Sequence, residues 1–507
     1  MRSVTLLQRN VVINLLGQGL LLGLGLLSAR YVFVHLGGDG MGLIYFMATL
    51  SAVSANLLDL GVGATLVRET ASRGSDPSYL VRLARTGACF CWVAYLVLAL
   101  ILFAGASLLI DHWVRLERIG RDEAIRHVRI LGLSGLLALP RACYSSLLRG
   151  LQRMGFANGV DVAATAVQYG GVAWVLSGGG GFPRVVEWML WTSCLWTAAY
   201  AVAVGVCFRW SAVIPRWDGE IVRENRSYAL QMSGISALSL ASLNTDKMLL
   251  SRVLPLGAVG TYLLAHGMVF RATMLSNAVS QAALPHLASL LQSQAGQLPT
   301  QYRKLQDLMC LLTIPLFALF PFAVGPVLGV VLNREIAAVL LVPVSLLALG
   351  CFMISSVHLP YAYSLAVGRP DIALKGNLYA LVLTCTATPY LTYRWGMQGA
   401  ALAWILQNLL IYAYTVPRIC RECLQMGPLD WFSHLGRYAA WAAVPYGAAW
   451  LLRGRFGETG PRAALPYALA TLVFVVGGFW LLGPELRGSL KKALAGGKVP
   501  LAAAPED

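Results

Sequence analysis

Long, continuous runs of apolar residues follow one another along almost the whole chain. The hydrocarbon core of a bilayer is about 30 Å thick and is crossed by about 20 apolar residues in a helix, so these runs predict about fourteen membrane-spanning helices. The predicted spans are residues 11–34, 41–63, 87–110, 128–148, 156–176, 186–208, 229–252, 257–280, 309–332, 337–365, 373–393, 397–417, 435–452 and 464–483. Membrane β-barrels instead alternate apolar and polar residues in short segments. The pattern therefore predicts an all-α integral membrane protein.

The composition excludes two other classes of protein. Of the 507 residues, 57% are hydrophobic and 12% are charged, whereas about 25% charged residues are usual in soluble domains. A disordered chain needs low hydrophobicity and high charge, and an ordinary soluble enzyme of this length would carry more surface charge. Both classes are therefore excluded.

The net charge of +16 is interpreted as positive loops on one side of the membrane. With a cytoplasmic N-terminus, the inner loops hold about twice as many Lys and Arg residues as the outer loops. This predicts a multi-pass protein of the cell inner (cytoplasmic) membrane with both termini cytoplasmic. No run of like charges or recognition motif indicates nucleic-acid binding.

A weak internal repeat at an offset of 218 residues predicts two related halves. Leu36-Gly37 and Met41-Gly42 align with Leu254-Pro255 and Val259-Gly260. Many transporters consist of paired repeats with the substrate site between them. The helix count then predicts five parts: a six-helix lobe at 1–208, a cytoplasmic linker at 209–228, a second six-helix lobe at 229–420, two additional helices at 421–484, and a cytoplasmic tail at 485–507.

Motifs of catalysis and nucleotide binding are missing from the sequence. It contains no GxxxxGK[ST], HExxH or GxSxG motif. Cys420 and Cys423 form a CxxC pair, but a structural zinc site usually takes two more ligands at matched spacing. We therefore expect neither an enzyme nor a bound metal or cofactor, and we expect no ATP hydrolysis by this chain.

Charged residues inside the predicted spans are the main candidates for function. Each costs about 2.5–3.5 kcal/mol at a helix centre, so such residues usually face a bundle interior or a water-filled cavity. Four cations form the predicted substrate-binding set: Arg30, Arg141, Lys247 and Arg271. A cationic cavity suits an anionic substrate, and the planar guanidinium group of arginine favours phosphate. Arg30 and Lys247 lie near helix ends, where they could instead snorkel to the interface.

Polar residues of the same spans form a second predicted set, with roles in cavity lining and gating. Its members are Asn14, Gln18, Asn244, Asp246 and Asn277. Hydroxyl-rich sugars need such hydrogen-bond partners, although polar groups also hold membrane helices together. Near the outer ends of their helices, Arg30, Asp246 and Lys247 are predicted to form an outer gate.

Several short motifs resemble a known family. They are Arg30-Tyr31 with Leu36-Gly37, Leu58-Asp59-Leu60-Gly61, Leu147-Leu148-Arg149-Gly150-Leu151-Gln152-Arg153, and Asn244-Thr245-Asp246-Lys247 with Val259-Gly260-Thr261-Tyr262. The sequence resembles the polysaccharide-exporter (Wzx-type) branch of the flippase superfamily that also contains MATE antiporters and lipid II flippases.

The resemblance implies two six-helix lobes around a central cavity that is often cationic. It also implies a flippase that moves undecaprenyl-diphosphate-linked oligosaccharide by alternating access, for assembly of a surface polysaccharide such as O-antigen, capsule or exopolysaccharide. A polysaccharide polymerase and glycosyltransferases are the partners it suggests. The alternatives are a MATE-like ion-coupled antiporter of small molecules and, with less support, a glycan polymerase or ligase.

Overall fold

The computed structural model describes the backbone of residues 2–58, 61–72, 76–113, 119–151, 153–277, 279–280, 298–367, 369–456, 461–482 and 487. Side chains are described from residue 23 onward within these ranges, except at 56–58, 71–72, 154, 231–232, 234–243, 298–299, 365–366, 370 and 461–462. All statements on structure below concern these residues.

The described chain is helical and contains no strand, which confirms the all-α fold class. The helices are α1 (Arg2–Leu58), α2 (Val62–Ser72), α3 (Pro77–His112), α4 (Arg121–Leu136), α5 (Ala138–Gly150), α6 (Met154–Ser177), α7 (Phe182–Cys207), α8 (Gly219–Val253), α9 (Leu256–Arg271), α10 (Leu298–Ala323), α11 (Arg334–Ala366), α12 (Pro370–Glu422), α13 (Pro428–Phe456) and α14 (Leu465–Leu481).

Two of the longest helices are broken by a glycine. Gly37 in α1 and Gly396 in α12 have φ angles of +70° and +56°, a conformation that costs a residue with a Cβ atom energy but costs glycine little. Each break falls between two predicted spans, so α1 and α12 each consist of two helical segments joined at a kink. Seven described helical segments are long and apolar enough to cross a membrane, and the count of fourteen spans stays a prediction.

The described residues form two compact units. The N-terminal unit comprises residues 1–264 with 381–400, and the C-terminal unit comprises 265–380 with 401–507. The N-terminal unit is packed around two apolar clusters: one includes Leu83 and Tyr200, and the other includes Phe46 and Val128. The predicted lobe and linker boundaries stay predictions.

A buried polar cluster in the C-terminal unit joins α10 to α13. Asp307 is 4% exposed; its Oδ1 accepts a hydrogen bond from the Tyr438 hydroxyl at 2.8 Å and lies 2.7 Å from His434 Nε2. One and a half turns earlier in α10, the Tyr302 hydroxyl accepts a hydrogen bond from Trp431 Nε1 at 3.1 Å. Two layers of side-chain contacts therefore attach α13 to α10.

Candidate functional site

A cavity of about 210 Å³ lies inside the N-terminal unit. The second half of α1 and helices α4 to α7 enclose it. Its polar lining consists of Ser51, Ser134, Arg141, Gln168, Ser193 and Trp196. We call this space the Arg141 cavity, because Arg141 is the one ionisable residue among its lining residues.

The break between α4 and α5 positions Arg141. Helix α4 ends at Leu136, and Pro140 lies in the first turn of α5, where a proline costs no intrahelical hydrogen bond. The following residue is Arg141, whose guanidinium carbon lies 3.9 Å from the ring centroid of Trp196 on α7. A cation–π contact of this kind holds the guanidinium group without neutralising its charge.

Asp161 on α6 also interacts electrostatically with Arg141. The carboxylate of Asp161 accepts a hydrogen bond of 2.6 Å from the Tyr200 hydroxyl. The neutral Tyr200 hydroxyl therefore takes up part of the hydrogen-bonding capacity of the Asp161 carboxylate. Arg141 is half-buried and makes no ion pair within 4 Å with any described residue, so it keeps donors for a ligand.

Two further hydrogen-bond donors in the cavity are also available to a ligand. Ser51 Oγ and Trp196 Nε1 are buried, and neither has a hydrogen-bond partner among the described residues. Buried polar groups are nearly always hydrogen-bonded in native proteins, so an orphan calls for a water molecule or a ligand. A cation with two free donors can hold an anionic, oxygen-rich group.

Small residues and a hydroxyl pair shape the wall of the cavity. A Cβ atom at Gly135 would lie 2.5 Å from Ser51 Cβ, so only glycine lets α4 approach α1 this closely. The hydroxyl groups of Ser134 and Ser193 lie 2.9 Å apart, and Ser134 also donates to the Met189 carbonyl at 2.9 Å. These two serines satisfy each other, which leaves Ser51, Arg141, Gln168 and Trp196 as the available donors.

The gating residues predicted on α8 lie within one turn of each other. Lys247 Nζ donates to Asn244 Oδ1 at 3.2 Å. Asp246 is 6% exposed, and its Oδ1 has no hydrogen-bond partner among the described residues. Asp246 thus stays a buried acid beside a cation, and the predicted contact of Asp246 with the Arg30 region stays a prediction.

The other predicted residues lie elsewhere. Arg30 on α1 and Arg271 at the end of α9 are exposed, as is Asn277. The carbonyl ends of a helix favour a cation such as Arg271. The side chains of Asn14 and Gln18 lie outside the described residues. Among the predicted residues whose side chains are described, Arg141 alone lines the Arg141 cavity.

Sequence reasoning missed Ser51 and Trp196. A serine or a tryptophan within an apolar span carries no charge and therefore stands out little from its neighbours. The sequence separation of 55 residues between Arg141 and Trp196 also hides their contact. The useful signal would have been a tryptophan in the interior of a predicted span, since Trp is more usual at the two membrane–water interfaces.

Comparisons with known proteins identify relatives of the chain. A family model described as "Polysaccharide biosynthesis protein" matches residues 7–291. No curated protein matches the chain at a significant level. Similar solved structures exist, all with low sequence identity.

The lipid II flippase MurJ, in an inward closed conformation, has a TM-score of 0.70 and 10% identity, over 96% of this chain and 99% of that chain. An inward-facing MATE family multidrug resistance transporter has a TM-score of 0.65 and 14% identity, over 78% of this chain and 94% of that chain. A transporter from Pyrococcus furiosus has a TM-score of 0.54 and 14% identity, over 80% and 93%. The chain therefore shares its fold with these solved proteins.

Proposed function

Because the chain belongs to the polysaccharide biosynthesis protein family, we propose that it is a flippase for undecaprenyl-diphosphate-linked oligosaccharide. It would move this lipid across the cytoplasmic membrane by alternating access, for assembly of a surface polysaccharide. A polymerase and glycosyltransferases would supply and consume the glycan.

The Arg141 cavity carries this proposal. A flippase must take a charged, hydroxyl-rich headgroup through the membrane while the lipid chain stays in the bilayer. Arg141 offers a cation held over Trp196, and Ser51 and Trp196 offer uncompensated donors. A diphosphate oxygen on Arg141 and sugar hydroxyls on the remaining polar groups would satisfy all three.

The test is transport of a labelled lipid-diphosphate oligosaccharide in proteoliposomes. Arg141→Ala should reduce the flipping rate strongly, while Arg141→Lys should keep part of it, because lysine retains the charge but loses the planar fork. The matched control is Arg129→Ala on α4, since Arg129 is also half-buried and also stacks on an aromatic ring, Phe103, at 4.2 Å, but does not line the cavity. Equal rates for Arg141→Ala and Arg129→Ala would refute the role of the cavity.

A MATE-like antiporter of small cations is the second candidate. The likeness to a MATE transporter fold and the buried carboxylate of Asp246 favour it. The same proteoliposomes distinguish the two: export of a cationic dye that depends on Asp246 but not on Arg141 would favour the antiporter.

A further inference from the structure

The segment that connects α7 to α8 exposes large apolar side chains. Residues 209–217 read Arg-Trp-Ser-Ala-Val-Ile-Pro-Arg-Trp. Trp210, Ile214 and Trp217 are 59%, 59% and 57% exposed. The segment begins two residues after Cys207, the last residue of a helix long and apolar enough to cross the membrane. It therefore lies at a membrane–water interface, where tryptophan is favoured.

Arginines without a charge partner surround this segment. Arg209, Arg216, Arg223 and Arg226 are exposed, and none of their side chains makes an ion pair or a hydrogen bond with a described residue. Residues 209–226 contain three acids: Asp218 and Glu220 are both bound to Arg82, and Glu224 is exposed. Four arginines thus face one acid that Arg82 does not bind. The surface around the segment therefore keeps a positive charge.

Two apolar clefts flank the segment. A cleft of about 240 Å³ between α2, α3 and α8 is lined by Leu66, Phe90, Trp217, Arg226 and Leu230 among others. A second cleft, of about 510 Å³, is lined by Trp92, Val213, Ile214 and Pro215 together with residues of α5 and α7. Arg216 lies in the chain between Pro215, which lines one cleft, and Trp217, which lines the other.

Hydrogen bonds hold the segment in place between the clefts. The Arg216 amide donates to the Arg85 carbonyl at 3.1 Å, and the Tyr144 hydroxyl donates to the Val213 carbonyl at 3.2 Å. Arg82 Nε donates to Asp218 Oδ2 at 2.6 Å. The backbone that carries the arginines and lines the clefts is therefore held in place before a ligand binds. Binding then costs less conformational entropy in the site.

We propose that residues 209–226 form a binding site for an anionic phospholipid. Its phosphate binds Arg216 and Arg226, and one acyl chain lies in the cleft beside Trp217. Charge complementarity selects this occupant: basic pockets next to membrane helices bind acidic lipid headgroups, and an apolar cleft open to the bilayer accepts a chain. A soluble protein partner would bind from the water side and would leave the apolar clefts, which open to the bilayer, unfilled.

The test counts lipids retained by the purified full-length protein. The protein is exchanged into an equimolar mixture of phosphatidylglycerol and phosphatidylcholine, and retained lipids are measured by native mass spectrometry. The double variant Arg216→Gln with Arg226→Gln should lose about 30-fold in apparent affinity for phosphatidylglycerol. The matched control is Arg184→Gln with Arg394→Gln, two exposed arginines of the same unit that lie in the first turn of α7 and just before the Gly396 break of α12.

A second measurement locates the acyl chain of the bound lipid. Phosphatidylglycerol brominated on its acyl chain should quench part of the tryptophan fluorescence, and Trp217→Phe should remove that part. Three results would overturn the proposal: equal phosphatidylglycerol retention in the Arg216/Arg226 and Arg184/Arg394 variants, no preference over phosphatidylcholine, or quenching unchanged by Trp217→Phe. Displacement of phosphatidylglycerol by equimolar polyprenyl diphosphate, with the same arginine dependence, would assign the site to the transport substrate and also overturn it.

Discussion

Gly42 and Gly260, at equivalent positions of the two predicted repeats, meet backbone to backbone. A Cβ atom at Gly260 would lie 2.6 Å from both the Cα and the N atom of Gly42. Equivalent residues can touch each other only where the axis that relates two repeats passes between them. The contact therefore supports the offset of 218 residues that the sequence predicts, and it brings the N-terminal part of α9 against the second half of α1.

Gly260→Ala should destabilise this contact. The clashing atoms belong to the backbone and cannot rotate away, so overpacking should cost about 1–3 kcal/mol. Thermal unfolding in detergent would show this as a lower midpoint. Gly267→Ala on the same helix is the control, because a Cβ there meets no atom within 4 Å. If both variants unfold at the same temperature, the close contact does not exist in the protein.

Trp196→Phe should weaken substrate binding less than Arg141→Ala does. Phenylalanine keeps an aromatic ring under the guanidinium group but loses the Nε1 donor. A lost neutral hydrogen bond of about 0.5–1.5 kcal/mol corresponds to an affinity about 2- to 12-fold lower. Binding of a lipid-diphosphate oligosaccharide to the purified variants measures this. A larger loss for Trp196→Phe would mean that the arginine is not the principal contact.

Asp246→Asn should open the turn near Gly37–Gly42, which is predicted to lie on the outer side of the membrane. The carboxylate offsets the repulsion expected between Arg30 and Lys247, which is about 1 kcal/mol at 4 Å in water and more in drier surroundings. Hydrogen exchange of the backbone amides in this turn should become faster in the variant. Asp122→Asn, an acid whose side chain is 93% exposed, is the control. Unchanged exchange in Asp246→Asn would argue against a gate at this position.

The contact of Asp218 with Arg82 should make stability depend on pH in the acidic range. The hydrogen bond from Arg82 lowers the pKa of Asp218 below its usual value. A lowered folded-state pKa means that the stabilisation is present above the unfolded-state pKa, about 3.9, and is lost as the pH falls through the lower folded-state pKa.

Asp218→Asn tests this pH dependence cleanly. Asp218 also caps α8 by accepting from the Glu220 amide at 3.1 Å, and asparagine can serve as a cap too. The variant should therefore unfold at a lower temperature than the wild type at pH 7, and the difference should shrink as the pH approaches 3. If the difference in unfolding temperature between the variant and the wild type were the same at every pH, the contact of Asp218 with Arg82 would not be the cause of the pH dependence.

Tyr438→Phe should cost more stability than Tyr446→Phe on the same helix. The Tyr438 hydroxyl donates to the carboxylate of Asp307, whereas the Tyr446 hydroxyl lies 3.1 Å from the Thr471 hydroxyl. Hydrogen bonds to charged groups contribute about 1.5–3 kcal/mol and neutral ones about 0.5–1.5 kcal/mol. Thermal unfolding of the two variants would show the order, and a reversed order would mean that Asp307 is neutral or satisfied elsewhere.

The hydrophobic pattern predicted the helical fold because each span repeats one local signal many times. The breaks at Gly37 and Gly396 were visible as short gaps between apolar runs. The site was less predictable. Arg141 stood out as a charge inside an apolar span, but its contact with Trp196 depends on how α5 packs against α7, and no local signal encodes that packing. The Asp307 contacts, made across more than 120 residues, were hidden for the same reason.

The order of synthesis gives the cluster around Asp307 a further consequence. Its partners His434 and Tyr438 follow it by more than 120 residues, so at about 5–20 residues per second they leave the ribosome roughly 6–25 seconds later. During that interval α10 carries an acid that its last two partners have not yet covered, and an acid that becomes buried without partners is costly. The C-terminal unit can therefore reach its final packing only once α13 has been made, and a chain that stops before α13 would leave Asp307 without these two contacts.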